Sequence, residues 1–176
     1  MTSVSTLGRT YKKLYETLCG QHPHQRPWHF QWLAVAPLHR ELRRIFRGLA
    51  GRVLDVGCGD KPYRHWFSKN VSQYIGLDVV DGPEVDMVVE PMGHWEISGQ
   101  AFDVVIATQV LEHVENLNHT LSEITRVLRP GGTVILSFPF LYNEHGAPYD
   151  FRRFTRHSVE NLLSGYDVQS VAIQGG

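Results

Sequence analysis

Apolar residues follow two different rhythms along this 176-residue chain, and the rhythm changes near residue 50. In residues 1–20, Leu7, Tyr11, Leu14, Tyr15 and Leu18 stand three and four apart, which predicts a helix with one apolar side. Residues 20–27 break it with Gly20, Pro23 and Pro27. Helical spacing returns from residue 28 to about 49 through Trp32, Val35, Leu38, Leu42, Ile45, Phe46 and Leu49. Pro37 is expected to kink this segment or divide it in two. Arg40, Arg43, Arg44 and Arg47 fall mainly on the opposite face, giving a basic amphipathic helix.

Beyond residue 50 short apolar runs alternate with helical stripes. Strands are predicted at 53–56, 74–80, 85–90, 102–108, 133–138 and 166–173, six in all. Between them come a short helix at 62–69 and a loop at 91–100 with room for a helical turn. A helix carries Leu117, Leu121, Ile124, Val127 and Leu128 and stops at Arg129-Pro130-Gly131-Gly132. A Pro/Gly/aromatic loop covers 139–154, and a helix at 155–164 comes next with Gly165 as its C-cap. Strands alternating with helices predict an α/β fold, a doubly wound, mostly parallel sheet covered on both faces. The expected division is a helical arm over 1–50 and a ligand-binding α/β domain over 51–176.

The chemistry concentrates at residues 53–60, Val-Leu-Asp-Val-Gly-Cys-Gly-Asp. Here a buried strand runs into a turn whose glycines, Gly57 and Gly59, let a ligand approach the backbone. Strand, glycine turn, helix is where open α/β sheets hold a nucleotide-like ligand, outside the carboxyl ends of the strands. Asp55 is costly to bury inside an apolar strand without hydrogen bonds. Two readings fit it: a carboxylate that ties down the turn, or a ligand contact made directly or through the turn. Asp78 lies 21 residues after Gly57, the interval at which a carboxylate meets a ribose diol. Glu90 ends the third strand. A dinucleotide fingerprint would need a third glycine where Pro62 stands, and the GK[ST] ending of a phosphate-binding loop is absent.

Charge changes the picture modestly. The net charge is −1, so nucleic acid is not an expected partner. The halves differ, however: residues 1–52 hold nine Lys/Arg against two acids, and the remainder eight against sixteen. The basic helix therefore packs on its own acidic domain or meets a membrane surface, and packing is the expectation. Cys19 and Cys58 form no disulfide framework, and His22, His24 and His29 have no regular metal spacing. With no apolar leader and no run near ~18 apolar residues, the cytoplasm is the expected location.

Taken together, residues 53–60, the strand ending in Asp78, residues 102–114 (Phe-Asp-Val-Val-Ile-Ala-Thr-Gln-Val-Leu-Glu-His-Val) and Arg126-Val-Leu-Arg-Pro-Gly-Gly132 resemble the class I S-adenosylmethionine (SAM)-dependent methyltransferases. They stand in that family's order and at its intervals across residues 50–139. Residues 138–155 are similar to a bacterial branch associated with methylation of cell-surface polysaccharide or other small molecules. The resemblance implies a Rossmann-like fold, SAM as cofactor, and a cofactor-binding set of Asp55, Gly57, Cys58, Gly59, Asp78, Val79, Glu90, Met92, Thr108 and Gln109. Asp55 would lie near the methionyl ammonium, Asp78 at the ribose hydroxyls, and Glu90 with backbone around Met92 at the adenine, with Asp86 as the weaker choice there. Thr108 and Gln109 would floor the methionyl pocket. Two departures stand out: Lys61 replaces the third glycine of the fuller pattern, and no sequence corresponds to the seventh, antiparallel strand. On that reading the chain is a fragment or the sheet closes another way.

The expected reaction moves a methyl group to a small-molecule or saccharide acceptor, with a hydroxyl as the acceptor group. A hydroxyl benefits from a base poised near neutral pH. Candidates are His145 and Asp150 in the 139–154 loop and His113 after the fourth strand. Tyr142, Tyr149, Arg152 and Arg153 are the candidates for clasping a polar acceptor. Glu112 and His113 alone are two adjacent residues and make no metal site, so no metal is expected. The competing readings are a non-catalytic SAM-binding regulatory or interaction protein, and an NAD-type dehydrogenase, which the missing third glycine disfavours. The pattern assigns no oligomeric state.

Overall fold

The computed structural model describes Thr17 and residues 32–173. These fall into two compact units, one holding the described residues up to Ile45 together with 172 and 173, the other spanning Phe46–Val171. The predicted helix over 1–20 and the loop histidines His22, His24 and His29 lie outside the described residues, Thr17 excepted. Helix α1 (Trp32–Phe46) continues through Pro37. Pro37 removes one N–H donor there without dividing the helix. Arg40, Arg43 and Arg44 are exposed along it and Arg47 just past its end, and Arg44 pairs with Glu41 at 2.5 Å. No helix among the described residues is long and apolar enough to cross a membrane.

The second unit is built on a parallel sheet of β1 (Gly51–Val56), β2 (Val71–Asp78), β3 (Met87–Val88), β4 (Phe102–Thr108) and β5 (Leu128–Ser137), in the order β3-β2-β1-β4-β5. The central strands are buried on both faces, which is why β1 and β4 read as near-continuous apolar runs. Leu54, Val105, Leu111, Ile124 and Val127 lie at the centre of the core. Each such side chain stabilises the fold by about 1.5–3 kcal/mol through burial. Helix α2 (Leu117–Val127) starts at Asn116, whose side-chain oxygen accepts the His119 N–H at 3.1 Å, and buries Leu121, Ile124 and Val127. Helix α3 (Arg156–Leu162) is capped by Thr155.

Three predicted elements change. The helix over 62–69 reduces to a 3₁₀ turn at Arg64–Trp66, because the preceding turn extends through Lys61, which takes a φ of +50°. The third strand shrinks to two residues. Val85 and Asp86 are drawn into other bonds, to the Gly82 and Gly76 carbonyls, and Glu90 opens a turn onto Gly93. The sixth strand does not form. The Tyr166 hydroxyl bonds Thr125 on α2 at 2.5 Å, and residues 167–173 carry no strand pairing, with Val168, Val171 and Ile173 exposed. The sheet among the described residues therefore has five strands rather than about six. The Arg129–Gly132 stretch, expected only to stop a helix, becomes part of β5. Leu128 pairs with Phe102, pairing resumes at Thr133 with Val104, and the residues between bulge out of register.

The 91–100 loop is fastened to α2 by charge. Glu123 accepts the Trp95 N–H at 2.8 Å, and Arg126 bonds both oxygens of Glu123 and the carbonyls of Trp95 and Ile97. The Arg126 bonds hold the Glu123 carboxyl at about 2, below its ordinary 4.5. A depressed carboxyl contributes stability that is present above 4.5 and lost as the pH falls toward 2. Glu123→Gln is expected to cost about 2 kcal/mol near neutrality. In chemical denaturation that cost should fade between about pH 4.5 and pH 2; a constant cost across that window would show the charge to be irrelevant.

Candidate active site

The order 3-2-1-4-5 reverses direction between β1 and β4, and the carboxyl ends on either side of that point carry the glycine turn and Thr108. Gly57 and Cys58 both donate to the Leu77 carbonyl, at 2.7 and 3.2 Å, so the turn hangs from the end of β2. Gly57 has φ +67°, and a Cβ there would meet Val110 at 2.5 Å. Gly59 has φ +51°, and a Cβ there would meet nothing within 4 Å. The first glycine is demanded by packing. The second leaves open space above the backbone, which is the room a ligand needs.

Asp78 closes this arrangement. One carboxylate oxygen accepts the Gly59 N–H at 2.9 Å, and the other accepts Val79 and Val80 N–H at 2.7 and 3.1 Å. Three of its roughly four acceptor positions are thus used by backbone. Val79 and Val80 come next with 52% and 69% of their surface exposed, an apolar shelf beside the carboxylate. Asp78 pairs with Val88, so Glu90 and Met92 lie just past the same sheet end, both exposed. Thr108 is buried at the end of β4. Gln109, at φ +56°, donates its backbone and side-chain N–H to the Ser137 hydroxyl, both at 3.1 Å.

Beneath the turn lies a network that pattern reading missed. Asp55 is 1% exposed and accepts the Tyr74 hydroxyl. Burial pushes its carboxyl up to about 7, against the lowering effect of that bond and of Lys61. In this conformation the Asp55 side chain has almost no exposed surface from which to meet a ligand. Lys61 also points inward, its ammonium 2.5 Å from Asp86 and 5.5 Å from the Tyr74 ring centre. Asp86 additionally accepts the Gly76 N–H at 2.7 Å, on the same oxygen that meets Lys61. Burial pushes the Cys58 thiol up to about 12, so it is no nucleophile. The signal for Tyr74 was present: an acid in an apolar strand requires a donor from a neighbouring strand.

The 139–154 loop folds back onto the residues after β4. The His113 and His145 rings meet edge to face at 4.7 Å, and Tyr142 meets His145 at 5.0 Å. Tyr149 offers its carbonyl to His113 Nδ1 at 2.5 Å while its ring stays 65% exposed. Three of the residues expected to act on the acceptor have partners within the protein. Asp150 is held in a two-pronged ion pair by Arg153, at 2.5 and 2.8 Å, which drives its carboxyl far below the usual range. The pairing orients the loop, and a carboxyl held so low is a weak base near neutral pH. Arg153 also binds the Tyr142 and Asn143 carbonyls, and Arg152 binds those of Leu111, Val114 and Glu115. Both guanidiniums brace the loop. Glu112, fully buried, has neither carboxylate oxygen hydrogen-bonded, and burial raises its carboxyl.

The chain matches the family model described as methyltransferase domain over residues 28–170. It is 28% identical over 168 residues to a ubiquinone biosynthesis O-methyltransferase of Bordetella avium, covering 81% of this chain and 69% of that one. A protein of the same description from Pseudomonas paraeruginosa is 32% identical over 144 residues, covering 63% and 61%. Among solved structures, a SAM-dependent methyltransferase from Aquifex aeolicus superposes with a TM-score of 0.59 at 18% identity, covering 89% of this chain and 86% of that one. The open glycine turn, the carboxylate beside it and the switch-point sheet suit SAM, and the chain belongs to the methyltransferase-domain family as a SAM-dependent methyltransferase.

Proposed function

We propose that this enzyme methylates a hydroxyl of a small-molecule acceptor, saccharides included, placed against the 139–154 loop. The observation that carries the reading is the His113–His145 pair, whose rings lie 4.7 Å apart beyond the carboxyl ends of β4 and β5. SAM supplies a methyl group already activated by its sulfonium, so the protein's task is alignment and management of the acceptor's proton. Gly57 and Gly59 would pass the methionyl portion along open backbone, Asp78 would meet the ribose, and Val79, Glu90 and Met92 would border the adenine. Thr108 and Gln109 would form the floor. An imidazole of the pair would take the hydroxyl proton as the carbon–oxygen bond forms. The relatives described as O-methyltransferases support oxygen as the acceptor atom.

The test is uptake of label from methyl-labelled SAM by a panel of phenols, catechols and glycosides, with the product atom located by mass spectrometry. His145→Ala is expected to lower kcat on the best acceptor about 100-fold and leave SAM affinity unchanged. Label on nitrogen or carbon alone would overturn the hydroxyl assignment. SAM binding with no acceptor labelled would favour a regulatory role for this chain.

A further inference from the structure

The fold completes what the sequence left as an isolated pair. Glu112 and His113 are joined by His145 from the 139–154 loop, and one ligand atom from each lies within 4.8 Å of the others. We propose that these three residues form a divalent transition-metal site, with zinc-like or iron-like preference for two imidazoles and one carboxylate. The inference rests on the hydroxyl-acceptor reading above and deepens it, giving the two histidines a cation to hold.

Four observations carry it. Glu112 is 0% exposed and neither of its oxygens has a hydrogen-bond partner. A buried carboxylate left in that state is costly, and an ion that it can ligate removes the cost. His113 Nδ1 faces the Tyr149 carbonyl at 2.5 Å, leaving Nε2 turned toward Glu112 Oε1 at 3.9 Å. His145 Nδ1 faces the Asn143 carbonyl at 3.1 Å and Asp150 Oδ2 at 3.5 Å, which leaves its Nε2 as the ligand nitrogen. Metal-bound histidines almost always have the second nitrogen held by a carbonyl or carboxylate in this way, which fixes the tautomer. Finally, Gly146 lets the loop approach closely: a Cβ there would stand 3.1 Å from His113 Cε1.

The electrostatics agree. Glu112 and Asp150 are the acids facing the cluster, and Arg153, paired to Asp150, is the cation; the sum favours a positive ion. Two imidazoles and one carboxylate occupy three positions and leave at least one open for an oxygen ligand. An acceptor hydroxyl bound there would lose its proton to water more readily, because the cation stabilises the alkoxide or phenolate. The histidines would then act as ligands, and no protein base would be needed.

The test uses the whole chain stripped with a chelator and titrated with Co²⁺, read by visible absorption, and with Zn²⁺, read by calorimetry. Wild type is expected to take up about one equivalent at this site. Glu112→Gln and His145→Ala are each expected to weaken that uptake about 100-fold while SAM still binds by calorimetry. His145→Ala lies in a loop and keeps the test sound where Glu112→Gln fails to fold. Uptake equal in wild type and His145→Ala, or no uptake by a wild type that binds SAM, overturns the site. If methylation of the hydroxyl survives chelation while His145→Ala abolishes it, the imidazole is a base, and the metal inference fails alone.

Discussion

Asp78→Ala is expected to lower SAM affinity about 100-fold or more, and to lower stability as well, since three backbone N–H groups lose their acceptor. The carboxylate does two jobs at once. It ties Gly59, Val79 and Val80 by their N–H groups, and it stands at the strand end where the ribose would lie. Hydrogen bonds to a charged group are worth about 1.5–3 kcal/mol each, so losing a ribose contact and the shape of the turn together exceeds about 2.7 kcal/mol, a hundredfold. Because backbone already uses three acceptor positions, Asp78→Asn should retain more affinity than Asp78→Ala. Calorimetric titration of SAM into the three proteins, with thermal melts alongside, checks this. Equal affinity in wild type and Asp78→Ala would move the ribose elsewhere.

Asp55→Asn is expected to remove the pH dependence of stability carried by this residue. The Asp55 carboxyl sits at about 7 in the folded chain, above its ordinary 3.8. The native state therefore holds a proton that the unfolded chain releases first. Stability from this group is fully present below 3.8 and is lost as pH rises through 7. About three pKa units set a ceiling of about 4 kcal/mol on the effect. Asparagine still accepts from Tyr74 and does not ionise. The difference in unfolding free energy should thus swing in the variant's favour between about pH 4 and pH 8. A difference that stays flat across that range would show Asp55 to be ionised throughout. With the carboxyl 1% exposed, SAM affinity should fall by less than about tenfold, whereas a greater loss would mean that the cofactor opens the turn to reach it.

The alternation that predicted a parallel α/β sheet worked because β1 and β4 are covered on both faces, so their apolar runs had a single reading. It failed where one residue's bonding outweighed the local pattern. The apolar character of 166–173 suggested a strand, but the Tyr166 hydroxyl fastens the chain to α2, and residues 167–173 pair with no sheet edge. At the site, glycine spacing and the interval to Asp78 were legible because both are local or set by one βαβ unit. The burial of Asp55, the inward course of Lys61 and the bracing roles of Arg152 and Arg153 were not, since each depends on partners well separated along the chain or on the fold of the loop itself. The adjacent Glu112 and His113 could not be completed from spacing, because His145 arrives from a different loop.

Lys61 has a consequence for how the cofactor is received. Where the fuller family pattern would place a flexible glycine, this chain places a buried cation clamped to Asp86, which in turn grips Gly76. The loop at the carboxyl end of β1 is thus ordered before any ligand arrives, and the entropy of ordering it belongs to folding rather than to association. Lys61→Gly would remove this clamp and give a slacker receptor, with slower productive capture and a larger entropic penalty on binding. Preorganisation here is supplied by an ion pair beneath the turn.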